Sequence, residues 1–390
     1  MKKIKVHSTM VPIYRDAGFH LINTGTSIKA FKDELDHHRA PENYIYSRYR
    51  NPTVVAAEEQ LMKLEQCNWA LLTQSGLSAI DLALSIFQQG KKTGPWLFFS
   101  EIYGGTNSFI DRVLIFRRGL DVRRFYPTGG SYDLGELKKM LDEVKPALVY
   151  FECVSNPMVV VADCERIISL AKKSGAVVIV DNTFATPYLW RPLEMGADIV
   201  VHSATKYLAG HGDLTAGVVC GNDPRMEKDA IEYRKYIGHM LSPDDAYRLG
   251  ANLKTFELRM KRHCDNAFKL AGMLAAHDKI EQVHYPGLAS HSTHEDAKKL
   301  FKGKGFGGMI TFDLKAAPGK KLEAAEKFIA AVAEDIPLVP TLGNADTTLL
   351  HVESVWGDKY PMPGLIRLSV GIEEYEHLET VIQNGLANID

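Results

Sequence analysis

The sequence predicts an α/β fold: a domain built on a mostly parallel sheet, followed by a smaller C-terminal α+β domain. Three observations carry this prediction. Short apolar runs rich in Val and Ile recur from about residue 54 to about residue 222. Each is followed by a stretch with helical spacing, the signature of βα units around strands buried on both faces. Beyond that point the alternation gives way to a long helical region and then to mixed strands and helices, and 390 residues are too many for one compact core.

Taken in order, the first fifty residues lack sustained periodicity and end in the polar, aromatic "YIYSRYRNPT", which reads as an arm over 1–53. "VVAAEEQLMKLEQ" then has helical spacing. The strand-like runs that follow are "WALLTQ", "PWLFFSE", "DVRRFYP", "PALVYFEC", "AVVIVDN", "ADIVVHS" and "AGVVCG", with amphipathic stretches such as "SAIDLALSIFQQ" and "CERIISLAKKSG" between them. This gives an α/β domain over 54–225. A helical region at roughly 226–280 is broken by Pro and Gly in "HYPGLASH". "GGMITFDLK", "KLEAAEKFIAAVAE", "TLLHVES" and "GLIRLSVGIE" complete an α+β domain over 226–390. No internal repeat or low-complexity tract interrupts this plan.

Composition narrows the function. Hydrophobic content of 45%, charged content of 24% and a net charge of −2 are ordinary for a soluble globular chain. With no block of Lys or Arg, neither nucleic acid nor an anionic membrane is an expected partner. The start, "MKKIKVHSTMVPIY", has no apolar segment of the kind a signal peptide needs, and no stretch approaches a membrane span. The five cysteines (Cys67, Cys153, Cys164, Cys220 and Cys264) are scattered, with no C-x-x-C pair. That fits small buried residues in a reducing cytoplasm rather than a disulfide framework or a zinc site.

The chemistry is concentrated at three predicted strand ends, where ligands collect in open α/β sheets. "AVVIVDN" delivers Asp181. "ADIVVHSATK" delivers Ser203, Thr205 and Lys206. "WALLTQSGLSAI" ends in Ser75-Gly76 and opens a helix at once. Backbone N–H groups at such a helix start, those of Gly76 and Leu77, suit an anion. Ser203 and Thr205 alternate along extended chain, so both hydroxyls can face one side. Singly, each piece is commonplace: an S-x-T-K is mostly a loop and an Asp after a strand is often a cap. Together they make a phosphate cradle beside a lysine, with a carboxylate one βα unit upstream. Those are the parts needed to hold pyridoxal 5'-phosphate, with the lysine in a Schiff base and the carboxylate on the pyridine nitrogen.

"SATKYLAGHGDLTAGVV", "VDNTFATPYLWRPLEMGADIVVHS", "YSRYRNPT", "QSGLSAI", "YGGTN", "SNP", "LKTFELRM", "HYPGLASH", "GFGGM" and "LIRLSVGIE" run in register from about residue 44 to 373. Together they resemble the cysteine/methionine-metabolism family of pyridoxal phosphate enzymes, which includes cystathionine gamma-lyase and gamma-synthase, cystathionine beta-lyase, methionine gamma-lyase and O-acetylhomoserine sulfhydrylase. The resemblance implies the type I, aspartate aminotransferase-like pyridoxal phosphate transferase fold. By similarity Lys206 carries the cofactor and moves protons, and Asp181 pairs with its ring nitrogen. Ser75, Gly76, Leu77, Ser203 and Thr205 surround the phosphate, and Asn156 meets the cofactor hydroxyl. Tyr103 stacks on the ring and acts as an acid for the leaving group. Arg367 grips the substrate α-carboxylate, with Asn156 and Thr341 beside it. Tyr46 and Arg48 reach the phosphate of a neighbouring subunit, implying shared active sites in a homotetramer built as a dimer of dimers. The implied reaction is gamma-elimination on a small sulfur amino acid. The alternatives are gamma-replacement, chemistry one carbon closer as in a beta-lyase, and a cofactor-free α/β binding protein.

The sequence also departs from that family. "VWGDKYPMPG" replaces a longer Ser-Thr-His stretch, placing a shortened segment, Val355–Gly364, at the expected substrate mouth. Thr341 stands where the family has serine, Asp346 where its lyases have glutamate, and Gly105 where methionine gamma-lyases have cysteine. "GKGFGG" (303–308) imitates a dinucleotide loop but follows a helix and precedes a strand, the wrong order. His284, His291 and His294 lack an acidic partner at metal spacing and are expected to be solvated, so no metal site is expected. His202 and His211 flank Lys206, either lining the cofactor or satisfying a backbone carbonyl.

Overall fold

The computed structural model describes residues 10–36, 40–88, 94–128 and 130–389. Its larger sheet contains β1 (Trp69–Thr73), β2 (Trp96–Phe99), β3 (Val122–Phe125), β4 (Leu148–Glu152), β5 (Val177–Asp181), β6 (Ile199–His202) and β7 (Gly217–Gly221), in the order β1-β7-β6-β5-β4-β2-β3. β3, β2, β4, β5 and β6 run parallel, and β7 is antiparallel to both β6 and β1. The mostly parallel sheet expected from the sequence is therefore present. All residues of β1, β2, β4, β6 and β7 are buried, as helices on both faces of such a sheet require.

Local chemistry sets the helix starts. Asn51 caps the helix Pro52–Glu65 by accepting the Thr53 N–H, and Pro52 is pre-set for the first turn. Ser75 caps the helix Gly76–Ser85 by accepting the Ser78 N–H. The helical region expected near 226–280 consists of three helices, Pro224–Ile237, Pro243–Asn252 and Phe256–Ala276. A second, wholly antiparallel sheet follows, formed by β8 (Ile280–His284), β9 (Met309–Leu314), β10 (Thr348–His351) and β11 (Leu365–Ser369) in the order β10-β11-β9-β8. Helices Lys321–Val332 and Tyr375–Ala387 pack on it. The two cores meet inside one helix: Phe256, Met260 and Cys264 belong to the first, and Ala267, Leu270 and Leu274 to the second.

The N-terminal stretch holds one element that its lack of periodicity does not announce. It contains a helix, Thr24–Leu35, capped by Asn23. The helix escaped the periodicity argument because it buries little: Ile28, Phe31 and Leu35 are 66%, 48% and 74% exposed. Residues 1–9 and 37–39 of that arm lie outside the described part. All five cysteines are buried and unpaired with one another. Among the described residues, no helix is long and apolar enough to cross a membrane.

Candidate active site

Four strand ends converge on one place. Glu152 is the last residue of β4 and Asp181 the last of β5; β6 ends one residue before Ser203; the chain leaving β2 reaches Tyr103 within four residues. Ser75, Gly76, Leu77, Tyr103, Glu152, Asn156, Asp181, Thr183, Ser203, Thr205, Lys206 and Arg367 line a single cavity of about 240 Å³. Parallel strands end here because their carboxyl ends all point one way, which is why one cavity gathers residues from 75 to 206; Arg367 is added from the second, antiparallel sheet.

Asp181 sits at the floor. Its Oδ1 accepts from the Thr183 N–H at 3.0 Å and the Thr183 hydroxyl at 2.6 Å, and its Oδ2 accepts from the Tyr150 hydroxyl at 3.1 Å. Burial raises its pKa, while the Thr183 and Tyr150 hydrogen bonds and nearby His202 oppose the rise. Thr183 is also a spacer: its hydroxyl oxygen accepts the Ser203 N–H at 2.9 Å, tying the ends of β5 and β6 together. Neither Thr183 nor Tyr150 was singled out in the sequence. The signal for Thr183 was available, since an Asp accepting from a residue two positions on is a common local turn.

Lys206 lies on the turn after β6 and lines the same cavity. Its Nζ donates to Thr341 Oγ1 at 3.0 Å. Burial, with Arg367 as a smaller contributor, lowers its pKa to about 8. Arg367, in the middle of β11, donates from Nη1 to Asn156 Oδ1 at 3.1 Å and from Nη2 to the Thr341 carbonyl at 3.0 Å. Its Nε is buried without a partner, and burial lowers its pKa to about 10. An arginine with a spare donor and no carboxylate among its hydrogen-bond partners is suited to an incoming one. Thr341 thus touches both cations, and the departure from serine keeps the hydroxyl.

The residues expected to cradle a phosphate, Ser75, Gly76, Leu77, Ser203 and Thr205, line the same cavity. Ser75 satisfies the Ser78 N–H, leaving the N–H groups of Gly76 and Leu77 at the start of the helix. A Cβ on Gly76 would lie 2.8 Å from Ser203 Cβ, so only glycine lets this helix start meet the Lys206 turn. One expectation is modified: the Thr205 hydroxyl donates to the Ala216 carbonyl at 3.2 Å and accepts the Ala216 N–H at 3.0 Å. Thr205 lines the cavity, but its hydroxyl proton is directed at Ala216, the residue before β7.

Several residues lie elsewhere. Tyr46 and Arg48 do not line this cavity: Arg48 donates to the Lys235 carbonyl at 2.5 Å and lies over the Tyr46 and Tyr49 rings. His202 does not line it either, because its Nε2 meets Glu65 Oε1 at 2.5 Å in the core. His211 bonds the Ala209 carbonyl instead. His291 is buried rather than solvated, and burial lowers its pKa to about 4. His294 bonds the Pro286 carbonyl. Asp346 is exposed and outside the cavity lining. In the shortened segment, Trp356 lies 5.8 Å from the Arg367 guanidinium, and Lys359 and Tyr360 both bond Glu101.

A lysine depressed toward neutrality, a carboxylate lining the same cavity and a helix start that only glycine fits beside them suit pyridoxal phosphate. This fold and this site define the class of type I, aminotransferase-like pyridoxal phosphate transferases. Residues 1–387 match the family model described as Cys/Met metabolism PLP-dependent enzyme. The chain is 38% identical over 355 residues to a cystathionine beta-lyase of Lactococcus lactis subsp. cremoris, covering 89% of each chain. It is 36% identical over 391 residues to an L-methionine gamma-lyase of Pseudomonas putida, covering 96% of this chain and 92% of that one. A cystathionine gamma synthase structure from Xanthomonas oryzae pv. oryzae superposes with a TM-score of 0.86 at 29% identity, over 98% of this chain and 93% of the other. The chain belongs to the Cys/Met metabolism PLP-dependent enzyme family, the carbon–sulfur lyases and transferases of sulfur amino acid metabolism.

Proposed function

We propose that this chain is a carbon–sulfur lyase that eliminates the γ-substituent of a sulfur amino acid, giving a thiol, a 2-oxo acid and ammonia. The observation that carries the reading is the pairing of Lys206, lowered to about 8, with Arg367, whose hydrogen-bond partners leave Nε free. Pyridoxal phosphate, when bound, supplies an aldehyde for amino groups and an electron-accepting ring. Lys206 and Asp181 would hold it at its two ends, with the Gly76 and Leu77 N–H groups and Ser203 at the phosphate and Asn156 at its hydroxyl.

Each side chain then has a defined task. Arg367 holds the substrate carboxylate, with Thr341 and Asn156 fixing the guanidinium plane. Lys206 Nζ, unprotonated in part at neutral pH, takes the Cα proton and serves the neighbouring carbons in turn. Tyr103, at the rim of the cavity, gives its phenolic proton to the departing sulfur. Tyr46 and Arg48, outside the cavity of their own chain, serve the phosphate of a neighbouring copy. The curated relatives named as lyases favour elimination. The likeness to a cystathionine gamma synthase structure favours a second reading, gamma-replacement with an added thiol.

The test is incubation of the purified protein with cystathionine, methionine, cysteine and O-acyl homoserines, with and without added thiol. Elimination yields 2-oxo acid and ammonia without thiol. A thioether formed only with thiol supports replacement. A protein that stays colourless with pyridoxal phosphate, or whose colour survives both borohydride and Lys206→Ala, overturns the enzyme reading.

A further inference from the structure

We propose that Glu152 is the positioning residue for Tyr103, fixing the backbone from which the phenol reaches the leaving group. This rests on the reaction proposed above. The Tyr103 N–H donates to Glu152 Oε1 at 2.6 Å. Glu152 is buried at the carboxyl end of β4 and lines the same cavity as Tyr103. Tyr103 itself is 51% exposed and is the N-cap of the helix Gly104–Phe109, making no side-chain cap hydrogen bond. An exposed ring just before a helix start has little packing to locate it. Its N–H is held by Glu152 and its carbonyl accepts the Asn107 N–H at 3.0 Å, while Asn107 Nδ2 ties the preceding turn through the Ser100 and Ile102 carbonyls at 3.2 Å.

Glu152 also lies directly beside Asp181 in the parallel β4–β5 register. Two adjacent buried carboxyls cannot both ionise cheaply. Asp181 receives three hydrogen bonds, two from Thr183 and one from Tyr150, whereas Glu152 receives the single Tyr103 N–H. The charge therefore belongs on Asp181, where a ring nitrogen needs it, and the proton on Glu152. Burial and Asp181 together push Glu152 well above the usual carboxylate range, in agreement. A neutral Glu152 still accepts the Tyr103 N–H through Oε1. One strand end thereby anchors the tyrosine without placing a second negative charge in the cavity.

Three variants test this, each measured with bound pyridoxal phosphate. Glu152→Gln keeps a neutral acceptor and is expected to retain kcat within about threefold. Glu152→Leu removes the acceptor and is expected to lower kcat about 10- to 100-fold, with KM, set at Arg367, changed less than about threefold. If the leucine variant does not fold, Glu152→Asp withdraws the oxygen by one methylene and carries the same expectation. In a Tyr103→Phe background the loss on removing Glu152 should shrink to less than about threefold, because no phenol remains to be aimed. The visible circular dichroism of the cofactor should change in Glu152→Leu while its affinity does not. A full loss that persists in the Tyr103→Phe background, a wild-type kcat in Glu152→Leu, or a Glu152→Gln as damaged as the leucine variant overturns the assignment. Wild-type uptake of pyridoxal phosphate reports separately on the functional reading, so the two can fail independently.

Discussion

At the scale of single residues, the site is made of groups held in states that folding disfavours. Lys206 is the clearest case. Its pKa falls from 10.5 to about 8, so the unfolded chain binds its proton more tightly than the folded one. Between pH 8 and 10.5 the unfolded state carries more protons, and the stability contribution of this group rises with pH across that window. Below about pH 8 the burial penalty is fully present, about 3 kcal/mol by linkage. Loss of the Thr341 hydrogen bond offsets about 1 kcal/mol of it. Cofactor-free Lys206→Met is therefore expected to be more stable than wild type at pH 7 by about 2 kcal/mol in urea unfolding. The gap should narrow as pH is raised toward 10.5. A less stable variant at pH 7 would show that the amine is better solvated than its surroundings imply.

At the scale of elements, two glycines decide how strand ends meet helix starts. A Cβ at Gly76 would press on Ser203 Cβ at 2.8 Å, and neither the helix start nor the turn before Lys206 has room to yield. Gly76→Ala should cost about 1–3 kcal/mol of stability and weaken pyridoxal phosphate binding at least about tenfold, measured by unfolding and by cofactor titration. At Gly105 a Cβ would lie 2.4 Å from Tyr103 Cε1. Here the obstacle is an exposed ring that can swing away, so Gly105→Ala should spare stability and cofactor affinity and lower kcat. The strand ends were legible in the sequence: Asp181 directly follows the apolar run "AVVIV", Ser203 and Lys206 lie within five residues of the end of "IVV", and Ser75-Gly76 announces a helix start. Glu152 was not, because an acid at the end of "ALVYFE" looks like any solvated terminus until the strand beside it is known. His202 misled for the converse reason: it sits next to the lysine in sequence but faces Glu65 in the core.

At the scale of the whole molecule, the helix Phe256–Ala276 joins the two cores and holds both halves of the site. Arg259 donates to the carbonyls of Tyr207 at 2.8 Å and Leu208 at 3.2 Å, just past Lys206. One turn on, His263 meets the Val370 carbonyl at 2.7 Å and Asn266 donates to the carbonyls of Gly371 and Glu373, just past Arg367. Arg259 is buried, and its hydrogen bonds are to backbone carbonyls and the Thr255 hydroxyl. Arg259→Lys cannot reproduce that fork, and it should destabilise the fold by about 2–4 kcal/mol. It should also lower the affinity for both cofactor and substrate, whereas Arg367→Lys should affect substrate alone. Paired titrations of the two variants would check this, and a variant Arg259→Lys with wild-type affinities would disconnect the helix from the site.

The sequence by itself determined the α/β plan and its strands, because these follow from short-range periodicity, and it pointed to Asp181, Ser203 and Lys206 because their motifs are close in the chain. The tertiary structure decided which of them meet. Lys206 and Thr341 are 135 residues apart, and Arg367 and Asn156 are 211 apart. Such pairings arise from the order of strands in two sheets and from one helix shared between two cores. The pairing of Asp181 with Glu152 and their unequal hydrogen bonding were decided there too, because they depend on neighbours across the sheet, and a linear chain has none.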